Sequence, residues 1–267
     1  MKKNKLLIIK LGGSVITDKK RPFTAKREVI DRLAGEIKRS LKNLKADLII
    51  IHGSGSFGHV MASKYQTQKG IINKKSLIGF SKVADSAVAI NRIVVDRFLK
   101  IGLKAVSFAP LSMILTEGEK LKRFYVEPLK RALEIGLTPV LFGDVVLDLK
   151  KRGFCIYSGE KIIAAILKNT KDEYKNLQII YCTDTDGVYD GEGKTIKKID
   201  RKMLKTIKQD INHSKFRDVT GGMIHKVNES LLMAEKYNAD VYIINGLKKG
   251  NLERAISGEK LGTQIGY

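Results

Sequence analysis

The chain has 267 residues, 43% hydrophobic and 29% charged, which is apolar enough for a sizeable core and rules out a disordered or fibrous protein. Lysine and arginine total 50 against 28 acidic residues, a formal net charge of +22. That excess suits an anionic partner, yet only 12 of the 50 cations are arginine, whose bidentate fork nucleic-acid readers favour. No apolar run approaches the ~18 residues of a membrane span. Two cysteines, Cys155 and Cys182, make neither a disulfide framework nor metal-ligand spacing, and we expect buried thiols in a reducing, cytoplasmic setting.

The opening MKKNKLLIIKLGGS is basic and then apolar, but Lys10 interrupts the run and a glycine turn follows. It reads as a first strand rather than a leader peptide. Ile30, Leu33, Ala34, Ile37, Leu41 and Leu44 follow helical spacing, and residues 48–51 form a second strand. A long helix is predicted over residues 76–101, stopped by Gly102, with a strand at 105–108 after it. Next come a helix near 126–135, a strand at 139–142 and a hairpin joining 145–148 to 154–157. A helix then leads to a strand at 179–182, a helix after Gly222, a strand at 241–244, and a short final helix and strand. Strands apolar on both faces and separated by helices belong to a largely parallel sheet covered on both sides. Such sheets bind ligands beyond their C-terminal strand ends, and the glycines of this chain gather there.

Lys10-Leu11-Gly12-Gly13-Ser14 ends the first strand with a cation and then a nest of main-chain N–H groups suited to phosphate. It is not a P-loop, because the lysine precedes the glycines, and alone it reads equally well as a plain strand-exit turn. A second cation, Lys19, follows closely. The next rim loop, running from His52 through Gly53, Ser54, Gly55, Ser56, Phe57 and Gly58 to His59, is rich in glycine and hydroxyl groups. His59 closes it at a helix start, where it could hydrogen-bond a phosphate oxygen. Thr183-Asp184-Thr185-Asp186-Gly187 offers carboxylates to ribose hydroxyls, a base or metal-bound water, although Asp-Gly turns are common on their own. Asp218-Val219-Thr220-Gly221-Gly222 sets a glycine pair before a helix that carries Lys226 about one turn in, a second cradle for phosphate.

The combination K-L-G-G-S, H-G-x-G-x-F-G-H, S-G, T-D-x-D-G-V and D-V-T-G-G-M-x-x-K resembles the amino acid kinase family along nearly the whole chain, most of all its members that phosphorylate isopentenyl phosphate. The resemblance implies an α/β fold, a three-layer α/β/α sandwich with a mainly parallel central sheet, in a single domain over 1–267. The acceptor-phosphate side would fall mainly in 1–170 and the nucleotide side mainly in 171–267. It also implies a homodimer in which ATP, carrying Mg²⁺, donates a phosphoryl group to isopentenyl phosphate. Neither a nucleic acid, a membrane nor a protein-held metal is expected. Carried over residue by residue, the catalytic set is Lys10, Lys19, His59 and Lys226. ATP would be held by Lys10, Leu11, Gly12, Gly13, Ser14, Gly55, Asp184, Asp186, Gly222 and Lys226, and the acceptor phosphate by Ser54, Gly55, His59 and Gly159.

Two positions depart from the family pattern. Ser54 stands where glycine is usual, and Glu160 follows Gly159 where aspartate usually orients the active-site lysines. One extra methylene moves a carboxylate by ~1.5 Å, so either the backbone compensates or activity or substrate differs. The apolar tail is expected against Phe80, Val83, Ala87 and Ile90, closed by Val146 or Ile156, positions that ordinary core packing also explains. Alternatives are a kinase acting on a fosfomycin-type phosphonate or another small acid, and a catalytically impaired regulatory or nucleic-acid-binding protein.

Overall fold

β1 (Lys3–Leu11) buries Leu6, Leu7, Ile8 and Ile9 completely, so both its faces are covered. The computed structural model describes residues 2–42, 44–150, 152–212 and 221–266. After β1 come α1 (Gly13–Ile16), α2 (Arg27–Leu41), β2 (Asp47–His52), α3 (Gly55–Tyr65), α4 (Ser76–Ile101), β3 (Ala105–Ser107), α5 (Pro110–Met113), β4 (Ile114–Glu117) and β5 (Lys120–Phe124). The second half holds α6 (Glu127–Glu134), β6 (Thr138–Phe142), β7 (Asp144–Asp148), β8 (Phe154–Tyr157), α7 (Gly159–Thr170), β9 (Tyr174–Thr183), β10 (Lys198–Ile199), α8 (Arg201–Asn212), α9 (Gly221–Tyr237), β11 (Ala239–Asn245), α10 (Asn251–Ile256) and β12 (Thr263–Ile265).

Eight strands form one sheet in the order β10-β12-β11-β9-β1-β2-β6-β3, parallel throughout except where β12 runs against β11. Alternation along β1 builds two cores from one strand. Leu6 and Ile8 point into a core with Leu129 of α6, Ile162 and Ile166 of α7 and Val227 of α9. Leu7, Ile9 and Leu11 face the opposite core, with Leu33 and Ile37 of α2, Ile90 and Val94 of α4 and Leu252 of α10. The expected three-layer sandwich is therefore present. The predicted hairpin is also there, β7 pairing antiparallel with β8, but it belongs to a second sheet in the order β5-β4-β7-β8. α4 spans the whole predicted stretch and ends at Gly102 in the left-handed region, φ +83°.

Register places the rim. Leu11 sits opposite both His52 and Cys182, His52 opposite Phe142, and Cys182 opposite Ile244. Five strands thus finish flush, and the loops after β1, β2, β6, β9 and β11 emerge along one edge. The first two of these loops touch backbone to backbone. A Cβ on Gly13 would lie 2.6 Å from the Gly55 Cα, and Gly55 itself takes φ +50°. The Thr17 hydroxyl bridges them, donating to the Gly13 carbonyl at 2.7 Å and accepting from the Ser56 N–H at 3.0 Å.

Gly13→Ala is expected to lower stability in urea unfolding by about 1–3 kcal/mol, the usual range for overpacking a tight site. Gly35→Ala, inside α2, meets only the end of the Arg39 side chain at 3.3 Å. That change should raise stability by about 0.4–1 kcal/mol by restricting the unfolded chain. A Gly13→Ala variant as stable as the parent would show that the two loops are free to separate.

Candidate active site

A cleft of about 230 Å³ opens beyond the flush strand ends. Its lining combines Lys10, Gly53, Ser54, Gly55, His59 and Gly159 with the apolar Ala62, Val83, Ile156 and Tyr157. Lys10 reaches it from β1, between β2 on one side and β9 on the other. α3 begins at Gly55 after a turn in which neither the Ser54 nor the Gly55 N–H donates to a protein acceptor among the described residues. Two open N–H groups at the start of an eleven-residue helix, flanked by Lys10 and His59, make an anion site.

Charge at the cleft floor is organised by one carboxylate. Glu160, in the first turn of α7, is nearly buried and accepts a hydrogen bond from the Lys10 ammonium. Burial by itself would push its carboxyl up. The Lys10 charge and hydrogen bond, with a main-chain N–H and the Lys226 charge, outweigh that and hold it at about 2. Lys226, one turn into α9 and half-buried, is pulled down to about 8 by burial and by repulsion from Lys10, against the attraction of Glu160 and Asp184. Lys10 also lies over the Tyr181 ring, 5.8 Å from its centroid.

On the far rim, Lys19 donates to Asp184 at 2.8 Å, both of them exposed. Partial burial works to raise the Asp184 carboxyl, but hydrogen bonds from Lys19 and Ser14 bring it below the usual range. Asp186 accepts from Lys248 at 2.7 Å and from Asn245 at 2.9 Å, and these bonds keep its carboxyl low. Among the described residues no three His, Cys, Asp or Glu side chains gather as a metal site.

Most residues singled out from the sequence converge here. Gly12 and Gly13 open α1, and the Gly12 N–H donates to the Cys182 carbonyl at 2.9 Å. Leu11 contributes main chain alone: its side chain is core, and its carbonyl accepts the Gly53 N–H at 3.0 Å. Gly222 lies in the first turn of α9, while Asp218, Val219 and Thr220 of that motif, like His213, lie outside the described residues. Both departures are absorbed. Ser54 adopts φ −75°, ψ −15°, which needs no glycine. Glu160 reaches Lys10 from the α7 start despite its extra methylene, and Gly159 leaves the lysine stem room, since a Cβ there would lie 3.0 Å from the Lys10 Cε.

The expected tail wall is divided between cleft and core. Val83 and Ile156 line the cleft, but Ala87, Ile90 and Val146 lie in the hydrophobic core, and Phe80 packs on Phe154 with centroids 5.0 Å apart. Helical spacing gives the face of α4 but not depth along it, and seven residues on from Val83 the axis has advanced ~10 Å. Ala62, Tyr157 and Asp144, none of them expected from the sequence, also line the cleft. Burial pushes the Asp144 carboxyl up to about 7, against hydrogen bonds from the Val145 and Leu111 N–H groups. Its signal in the sequence was an acid directly after a buried strand and a glycine.

The depressed Lys226 value gives a direct test. Amine acylation followed by peptide mass spectrometry should show Lys226 gaining reactivity with a midpoint near pH 8, well below the ~10.4 of an ordinary lysine. Glu160→Gln should move that midpoint lower, because it removes a charge that favours the ammonium. A midpoint in the ordinary lysine range would contradict the shared field of Lys10, Glu160 and Lys226.

The sequence model of the amino acid kinase family matches residues 5–245. Isopentenyl phosphate kinase of Methanocaldococcus jannaschii is 35% identical, the match covering 98% of this chain and 99% of that protein. Isopentenyl phosphate kinase of Methanothermobacter thermautotrophicus is 36% identical, covering 97% and 98%. An X-ray structure of isopentenyl phosphate kinase superposes with a TM-score of 0.80 at 32% identity, over 97% of this chain and 100% of that one. Sequence and fold agree from the first strand to the last, and the chain belongs to the amino acid kinase family.

Proposed function

We propose that this chain transfers the γ-phosphoryl group of ATP to isopentenyl phosphate, giving isopentenyl diphosphate and ADP. The observation that carries the reading is the mixed lining of the cleft, which joins open N–H groups, Lys10 and His59 to Ala62, Val83, Ile156 and Tyr157. A short apolar chain ending in a phosphate matches both kinds of lining, while a carboxylate substrate would leave the apolar part unused. The relatives carrying the same name, alike over nearly their whole length, support it.

In this reading the sheet divides the work at β1. β2, β6 and β3, from the 1–170 side, carry the acceptor loops, and β9, β11, β12 and β10, from 171–267, carry the nucleotide loops. The Ser54 and Gly55 N–H groups, His59 and the α7 start at Gly159 hold the acceptor phosphate. Gly12, Gly13, Ser14 and the α9 start at Gly222 hold the ATP phosphates, with Gly55 at the junction and Asp184 and Asp186 toward the nucleoside. Lys10 spans donor and acceptor at the transferring group, with Lys226 and Lys19 neutralising charge beside it. ATP brings Mg²⁺, which neutralises β- and γ-phosphate oxygens; the ionised Asp184 at the rim is a hard oxygen donor suited to its hydration shell.

Phosphoryl transfer asks for in-line positioning and charge neutralisation, and little covalent work. An acceptor that is already an ionised phosphate needs no strong general base. Lys10, bonded to Glu160, with Lys226 in the field of the same carboxylate, matches that demand. A homodimer in the cytoplasm completes the proposal. No helix among the described residues is long and apolar enough to cross a membrane.

An ADP-release assay offering isopentenyl phosphate, dimethylallyl phosphate, fosfomycin, UMP, glutamate and aspartate tests the reading. The isoprenoid phosphates should give the highest kcat/KM, and preference for any other acceptor would overturn it. His59→Ala is expected to raise KM for isopentenyl phosphate roughly tenfold or more, a charge-assisted hydrogen bond lost, with little change for ATP. Equal losses for both substrates would remove His59 from the acceptor site.

A further inference from the structure

His52, the last residue of β2, is fully buried, although a histidine at that depth gains nothing from water. Its ring stacks on Phe142, with centroids 5.7 Å apart. Beside it runs a polar chain from two other elements. The half-buried Ser107, the last residue of β3, donates its hydroxyl to Asn91 Oδ1 at 2.5 Å. Asn91, on α4 and 1% exposed, turns its Nδ2 toward His52 Nε2 at 3.1 Å. A carbonyl oxygen only accepts, so Nδ1, which faces the Gly53 carbonyl at 3.1 Å, carries the imidazole proton. In the neutral ring Nε2 must then accept, which makes the Asn91 amide nitrogen its donor and leaves Oδ1 to the Ser107 hydroxyl. Burial holds the ring neutral, its pKa down to about 4, so this tautomer persists over the working pH range.

Burying the His52 and Asn91 side chains is unfavourable unless each is satisfied, and apolar residues could fill the same space. The arrangement has a local use. A peptide unit is planar and trans, so the Gly53 C=O and the Ser54 N–H point in opposite directions. Pinning that carbonyl to His52 therefore aims the Ser54 N–H the other way. The Gly53 N–H is fixed as well, on the Leu11 carbonyl at 3.0 Å. The turn entering α3 is thereby held at both ends of one residue.

We infer that His52, locked by Asn91 and Ser107, is a positioning residue for the acceptor site: it anchors the Gly53 carbonyl so that the Ser54 N–H faces the acceptor phosphate. This rests on the proposed role of the Ser54–Gly55 turn. His52 touches no reacting atom and acts through the main chain alone.

Asn91→Leu removes the donor to Nε2 while keeping volume. Its KM for isopentenyl phosphate should rise roughly tenfold or more while KM for ATP stays within about twofold. Equal rises in both would reduce the chain of bonds to general packing and overturn the inference. Long-range ¹H–¹⁵N correlation spectra of the parent protein give a second, independent reading, even if the variant fails to fold. They should show His52 as the Nδ1–H tautomer; an Nε2–H tautomer or a charged ring at neutral pH would overturn the inference. Parent protein that leaves isopentenyl phosphate untouched would instead strike the acceptor assignment, with the tautomer still deciding the hydrogen-bond chain.

Discussion

The bond between Lys10 and Glu160 is the constraint on which the rest of the site depends. Both groups are largely out of water, where an ion pair contributes little net stability and breaking one partner away is expensive. Its value is positional. Lys10 extends from the central strand and Glu160 from the first turn of α7, and Gly159 leaves the lysine stem room that a Cβ, 3.0 Å from the Lys10 Cε, would tighten. Lys226, from α9, feels the same carboxylate, so two ammonium groups that repel each other share the field of one acid. In the proposed function two lysines can stand where two anionic substrates meet because one buried acid offsets their charge.

The sheet makes that meeting possible. Parallel strands finishing in one row put five loops on a single edge, and β1 is where the order departs in both directions. In the proposed function phosphates approaching from the β2 side and from the β9 side converge on Lys10, as expected at such a crossing of strand order. The +22 charge takes on a narrower meaning in this light. A handful of lysines have defined places at the rim, and the rest are spread over helix faces, where long stems cover apolar surface and the heads stay wet.

How legible this was depends on the range of the interaction. α4 was legible because apolar residues at helical spacing and a glycine at the stop are local signals, and the left-handed Gly102 is their physical cause. The rim loops were legible for the same reason. β4 and β5 were not, since Lys120–Phe124 is mostly exposed and carries no alternation of buried and exposed apolar residues. α1 is only four residues long and too short to show a period. In the site, bond counting marked Glu160 as misplaced, and only the position of the α7 start shows how its carboxylate reaches Lys10. The pairing of Asn91 with His52 spans 39 residues and two elements, so no sequence pattern announces it.

The central claim is that the Glu160 charge places Lys10 for the chemical step. The most direct measurement is the single-turnover rate of phosphoryl transfer, at saturating ATP and isopentenyl phosphate, for the parent, Glu160→Asp and Glu160→Gln. Glutamine keeps the length and loses the charge, so the account predicts a fall on the order of a hundredfold or more with both dissociation constants nearly unchanged. Aspartate keeps the charge and should retain more of the rate than glutamine does. A glutamine variant that transfers the phosphoryl group as fast as the parent would contradict the account.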